Sequence, residues 1–243
     1  MSLLEIYPLG VGKGADGVLS GACSSSFVLL ADQKPVLLYD LGFGVTRAFQ
    51  KQFGPISCKI FVSHNHSDHA AELPVVGAVA RNQGRRLVLI SERRVMRTLK
   101  NHRLHELEST GLPLDDFYEF VEVEEGKEHP LTSEISIVPV KGCHSELSFG
   151  LIVSYLGQPI LGVSGDSAFS DSLYEKLCVA RTLIIDGRQT GNAEHAGFED
   201  LESWAAEHPA FKIFVSGYGE PPDQIKNLEL LVPGKRIEIH SRL

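Results

Sequence analysis

Phe61-Val62-Ser63-His64-Asn65-His66-Ser67-Asp68-His69 reads FVSHNHSDH: a short apolar run, then three histidines and an aspartate crowded into six positions. Neutral imidazole and carboxylate are the usual protein ligands of zinc and similar ions. On an extended loop, residues two apart point the same way, so His64 and His66 can grip one ion together. Asp68 and His69 stand at the start of a helical pattern opening near Ala70, within reach of a second ion. Asp68 alone also reads as a helix N-cap. Four ligand-type side chains at the end of a buried strand have no packing purpose, so the stretch reads as a metal site.

Outward from this loop, short β-branched runs recur, each closed by Gly, Ser, Asp or His. Ser26–Leu30, Val36–Tyr39, Lys59–Val62, Arg86–Ile90, Ile135–Val140, Gly150–Tyr155, Pro159–Val163, Arg181–Ile185 and Phe211–Val215 read as buried strands. Helical spacing predicts helices over Val45–Phe53, Ala70–Gln83, Glu92–Ser109, Asp171–Cys178 and Phe198–Glu207, with Pro74 tolerated in a first turn. Strand–helix alternation mixed with hairpin-like pairs predicts a layered α/β protein. With no repeat and no linker, one domain over residues 1–243 is the simplest account.

Composition narrows the function classes. A net charge of -8 argues against broad attraction to nucleic acid or to an anionic membrane. The cluster Arg81, Arg85, Arg86, Arg93, Arg94, Arg97, Lys100 and Arg103 reads as a solvated face more readily than as a binding patch. Cys23, Cys58, Cys143 and Cys178 form no CxxC pair, which fits a reducing compartment. Neither a signal peptide nor an apolar run of membrane-spanning length is read, so a cytoplasmic protein is expected.

The H-x-H-x-D-H pattern resembles the metallo-β-lactamase superfamily, and the resemblance covers nearly the whole chain. Leu9–Gly12 and Ser24–Leu29 look like that family's first hairpin, and Leu37-Leu38-Tyr39-Asp40-Leu41-Gly42 is similar to its strand ending in Asp-x-Gly. The resemblance implies an αββα four-layer sandwich of two mixed β-sheets flanked by helices. It implies that Asp40 orients a ligand histidine, although Asp40 also reads as a turn residue before Gly42. His144, ending the strand Val140–Lys141, stands where the third metal histidine is expected. Asp166, in Gly165-Asp166-Ser167, stands where the bridging carboxylate is expected. Without that context His144 reads as a surface-loop histidine and Asp166 as a turn residue.

Leu183–Gly187 followed by Asn192–Asp200 resembles ribonuclease Z and related phosphodiesterases, in which a histidine opens a helix beside the metals. By that resemblance His195 protonates the leaving alkoxide or steadies phosphoryl oxygens. Two features depart from the pattern. The last metal histidine is expected at about Gly217, where none stands; Tyr218, Glu220 and His195 are open to take its place. The second ion is therefore expected to be held weakly or not at all. The tRNA-gripping arm is also missing, since Asp166 follows His144 by only 22 positions, so tRNA is not the expected substrate.

The resemblance thus implies metal-dependent hydrolysis of a phosphodiester, on a nucleotide or other small molecule, by water that the ion acidifies. His64, His66, His144 and Asp166 would hold the first ion, and Asp68, His69 and Asp166 the second. Asp68 and His195 would be the catalytic groups. Zinc suits the nitrogen-rich set, and manganese or iron also fits, as one or two ions. Hydrolysis of a thioester or lactone, or a retired metal-binding module, are the competing readings. A homodimer is implied by resemblance only. The helix-rich segment Glu92–Glu119 reads as a cover for the site, a dimer face or an ordinary exposed helix.

Overall fold

The computed structural model describes residues 2–222 and 224–240 of the chain. Its strands are β1 (Leu4–Gly10), β2 (Ser26–Ala31), β3 (Lys34–Tyr39), β4 (Lys59–Phe61), β5 (Leu87–Glu92), β6 (Tyr118–Val123), β7 (His129–Pro130), β8 (Ile135–Lys141), β9 (Phe149–Tyr155), β10 (Gln158–Val163), β11 (Thr182–Asp186), β12 (Lys212–Ser216), β13 (Glu229–Leu230) and β14 (Ile237–His240). The helices are α1 (Asp16–Ser20), α2 (Val45–Phe53), α3 (Ser67–Ala70), α4 (Leu73–Asn82), α5 (Arg93–Thr98), α6 (His105–Glu108), α7 (Asp171–Leu177) and α8 (Phe198–Glu207).

Two mixed sheets form the centre, with helices on their outer faces. Among the described residues each sheet has seven strands, in the orders β14-β1-β2-β3-β4-β5-β6 and β13-β12-β11-β10-β9-β8-β7. In each, antiparallel hairpins lead into a parallel run: β3 through β6 in the first, β10 through β13 in the second. The turn between β2 and β3 is two residues, Asp32 and Gln33, both with positive φ. That is the mirror-image turn whose twist matches a hairpin. Leu156 and Gly157 do the same between β9 and β10.

Strands covered on both faces read as continuous apolar runs, and β11 (TLIID) is buried at every position. β8 alternates along its first half, as a strand with one wetter face does. The sheets meet through Phe61, Phe149 and their neighbours. The Tyr39 hydroxyl donates to the Phe149 carbonyl at 3.1 Å, and Phe149 N–H donates to the Ser63 carbonyl, also at 3.1 Å. These contacts bring the carboxyl ends of β3 and β4 against β9, where the ligand-type side chains collect. Carboxyl ends of parallel strands are where open α/β sheets place their ligands.

Three departures from the expected elements have local causes. The helix expected over Ala70–Gln83 is broken into α3 and α4. Pro74 has no N–H to give the Ala70 carbonyl, and Glu72 N–H is spent on the Leu41 carbonyl. The helix expected over Glu92–Ser109 is interrupted by a π-helical turn at Leu99–Arg103. This wider turn brings Arg103 onto the 64–69 loop. The end of the segment Glu92–Glu119 enters strand β6, whose Glu119 and Glu122 are exposed at the sheet edge. Those carboxylates blunt the edge and answer the basic cluster: Arg86 pairs with Glu119, Lys100 with Glu122, and Arg94 with Glu92 and Glu125. No helix among the described residues is long and apolar enough to cross a membrane.

Candidate metal centre

Asp40 organises the site. It directly follows β3 with φ +62°, a conformation Asp tolerates better than most residues. Its carboxylate is 1% exposed and accepts three hydrogen bonds: Ser63 N–H at 2.7 Å, Ser63 Oγ–H at 2.8 Å and His69 Nδ1–H at 2.7 Å. Burial raises its pKa, while the His69 imidazole opposes that rise. Gly42 closes the same corner. A Cβ there would lie 1.7 Å from the Asp68 carbonyl oxygen, so only glycine lets the β3 loop approach the histidine loop.

The three hydrogen bonds fix two tautomers. Since Ser63 Oγ gives its proton to Asp40, it accepts at 2.9 Å from His64 Nδ1–H. His64 Nε2 is then a bare lone pair, fully buried and without a hydrogen-bond partner. A buried polar atom with no partner costs free energy unless something fills the place, and an imidazole nitrogen presented in this way suits a divalent cation. Burial, reinforced by nearby His69, holds the His64 pKa well below the usual histidine range, so it is ready to ligate.

The other histidines converge on it. His144 Nδ1–H donates to the Glu194 carbonyl at 3.1 Å, turning Nε2 towards His66 Nδ1, 3.1 Å away. Ligand atoms of His64, His66 and His144 all lie within 4.8 Å of one another, as do those of His64, His69 and Asp166. His69 Nε2 sits 3.3 Å from both Asp68 and Asp166. Burial works against an imidazolium at His69, but Asp166 and Asp40 outweigh it and hold the pKa well above the ordinary value. An ion entering this half must first displace that proton.

All six ligand positions expected from the sequence, His64, His66, Asp68, His69, His144 and Asp166, therefore lie in one cluster between the sheets. His195 joins them, not at a helix start but in the loop before α8. Asn192 Oδ1 accepts its backbone N–H at 2.9 Å, while Asn192 N–H donates to the His195 carbonyl. Its Nδ1–H donates to Asp186 at 2.7 Å, and its ring lies 5.2 Å from that of His144. Tyr218 is turned away, its hydroxyl donating to the Leu231 carbonyl at 2.6 Å, and Glu220 is exposed.

Two residues here were not singled out from the sequence. Asp186 ends β11, is 5% exposed and anchors His195. Burial, with Asp166 nearby, raises its pKa. Arg188, two residues on, sets its guanidinium 2.9 Å from Asp186 and 3.5 Å from Asp166. An aspartate closing an apolar run before Gly187 was a usable signal; a lone loop arginine carried none.

The chain matches along most of its length a family model described as Anti-Pycsar protein Apyc1, over residues 4–230. Rv1339 of Mycobacterium tuberculosis is 26% identical over 190 residues, which is 75% of this chain and 68% of that protein. Among solved structures, the metallo-β-lactamase fold protein YhfI of Bacillus subtilis superposes with a TM-score of 0.75 at 14% identity, covering 97% of this chain and 99% of that one. A diphosphatase of the PhnP family gives 0.76 at 18%, covering 98% of each chain. The short form of human tRNase Z gives 0.72 at 18%, covering 98% of this chain and 100% of that one. The two flanked sheets are thus a metallo-β-lactamase fold.

Proposed function

The chain belongs to the Apyc1 family, and we propose that it is a metal-dependent phosphodiesterase acting on a nucleotide or another small phosphodiester. One observation carries the metal requirement: the bare, buried Nε2 of His64, facing a cluster that His66 and His144 complete. His64, His66, His144 and Asp166 would hold the ion, with Asp68 and His69 beside it. A divalent ion there supplies Lewis acidity and makes water acidic enough to attack at neutral pH.

The chain's own groups divide the remaining work. Asp68, partly exposed and held below the usual carboxylate range by His69 against the effect of burial, accepts the proton of the attacking water. Asp186 holds Nδ1–H of His195, so as the general acid His195 would act in its imidazolium form, giving the Nε2 proton to the leaving oxygen and reverting to the neutral Nδ1–H tautomer. A proton donor for the leaving oxygen suits a phosphodiester, whose alkoxide leaving group needs protonation. The names of family and fold relatives, Anti-Pycsar protein and tRNase Z, are in keeping with that substrate class.

Rates on a phosphodiester, a thioester and a lactone, measured side by side with zinc- or manganese-loaded protein, test the substrate class. The phosphodiester should be turned over fastest, and Asp68→Ala should remove turnover while leaving the circular dichroism spectrum unchanged. A faster thioester or lactone would replace this reading with the general esterase one. A loaded protein inert to all three would mean a retired site.

A further inference from the structure

Gly217 directly follows β12, at the position where the superfamily pattern expects its last metal histidine. It has φ +70°, and the space above it is taken. A Cβ built there would lie 2.3 Å from Arg188 Nη1 and 2.7 Å from Asp186 Oδ1. No L-side chain fits residue 217 beside Arg188 and Asp186, and the left-handed backbone strains any side chain there. The arginine in turn reaches the site only because residue 217 has no side chain. The two departures, a glycine gained and an arginine inserted, are one structural event.

Arg188 is well fixed. Its N–H donates to the Ala196 carbonyl at 2.9 Å, its own carbonyl accepts Phe198 N–H at 3.0 Å, and Gly187 N–H holds the Ser216 carbonyl at 3.0 Å. Its side chain is 11% exposed. Nη1 is 2.9 Å from Asp186 Oδ1 but out of line for a hydrogen bond, leaving both atoms without an aligned partner. The contact is one of charge. Nη2 is 3.5 Å from Asp166 Oδ2, the same oxygen that lies 3.3 Å from His69 Nε2. A permanent cation therefore leans on the carboxylate expected to bridge two ions, from the side the missing histidine would occupy. Like charges so close repel strongly in a site of low effective dielectric. Arginine cannot escape by losing a proton.

We propose that the Arg188 guanidinium takes the place of the second metal ion: the chain binds one divalent ion, at His64, His66, His144 and Asp166, and Arg188 supplies the second positive charge beside it. Planar and donor-rich, a guanidinium suits phosphoryl oxygens as well as carboxylates. The last clause rests on the phosphodiesterase reading; the ion count does not.

The test is the number of ions bound. Wild type, Arg188→Lys, Arg188→Ala and Arg188→Met are saturated with zinc, desalted and analysed for metal per chain, with folding checked by circular dichroism. Wild type and Arg188→Lys should hold one ion. Arg188→Ala, freeing Asp166 and Asp186, should rise to two. Arg188→Met, should the alanine chain fail to fold, keeps the bulk of the side chain without its charge and should also hold two. Two ions in wild type, or one ion in every folded variant without the arginine, would overturn the proposal. One ion in wild type without any phosphodiester turnover removes the functional reading and leaves this one standing. Two ions with full turnover does the reverse.

Discussion

Asp40→Asn isolates what Asp40 does for the metal centre. Asparagine is nearly isosteric and accepts the positive φ of this corner about as well as aspartate, so the backbone is spared. The carboxylate accepts three hydrogen bonds, at 2.7, 2.8 and 2.7 Å. An amide has one oxygen to offer. Given to Ser63 N–H, that oxygen leaves the amide nitrogen facing His69 Nδ1 and Ser63 Oγ. The cheapest repair reverses the chain of donors: the amide donates to His69 Nδ1, so the proton left on that ring sits on Nε2. Ser63 Oγ turns to donate to His64 Nδ1, which moves the proton of that imidazole to Nε2. In the unmutated protein an incoming ion displaces only the Nε2 proton of His69, and Asp40 keeps Nδ1–H in place; in the variant neither ring has an acceptor at Nδ1, so both ligand nitrogens hold their protons against the ion. Loss of such an orienting carboxylate typically costs about 10–100-fold in metal affinity, equivalent to about 1.4–2.7 kcal/mol. Zinc affinity by competition against a chromophoric chelator reads this directly. An affinity within about threefold of wild type would refute the claim that Asp40 sets the tautomers of the site.

Three further outcomes follow from the same geometry. His195→Gln should lower kcat on a phosphodiester by about 10²–10⁴-fold with metal content unchanged; an unaltered kcat removes His195 from proton transfer. Arg103, whose guanidinium binds Asn65 Oδ1 at 3.1 Å, the Asn65 carbonyl at 2.7 Å and Ser67 Oγ at 3.3 Å, clamps the histidine loop from outside. Arg103→Ala should weaken metal affinity and raise protease sensitivity around residue 65, whereas wild-type values for both would make the clamp incidental. In metal-free protein two buried histidines act oppositely with pH. His64, its pKa lowered by burial, refuses a proton the unfolded chain takes below about 6.5, so stability falls as pH drops through that value. His69, its pKa raised, contributes fully below about 6.5 and loses that contribution as pH rises towards its folded value. Each slope is at most about 1.4 kcal/mol per pH unit. The urea midpoint of chelated protein should peak near about pH 6.5, and a profile that only rises or only falls across neutrality would contradict the assignment.

How far the sequence spoke depended on whether the signal was local. FVSHNHSDH is strand, loop and helix start in nine positions, and it carried the fold as well as the site. The helices Val45–Phe53 and Phe198–Glu207 lie where their periodicity put them, since each buries one apolar stripe on its sheet. The strand β6 was harder: Glu119 and Glu122 interrupt its apolar alternation because it lies at an edge. The π-helical turn at Leu99–Arg103 has no marker in composition. Asp186 and Arg188 escaped for a different reason. Their roles arise from side chains brought together by three different strand ends, and the glycine that makes room for Arg188 follows another strand. No window of sequence contains that relation.

The central claim, a phosphodiesterase that needs its metal, is tested most directly by removing the ion and restoring it. Turnover of a nucleotide phosphodiester is measured on protein as purified, after chelation and dialysis, and after reloading with zinc or manganese. The account predicts activity lost with the ion and recovered on reloading, in step with metal content. Turnover that survives complete removal of metal, or that never appears in fully loaded protein, would contradict it.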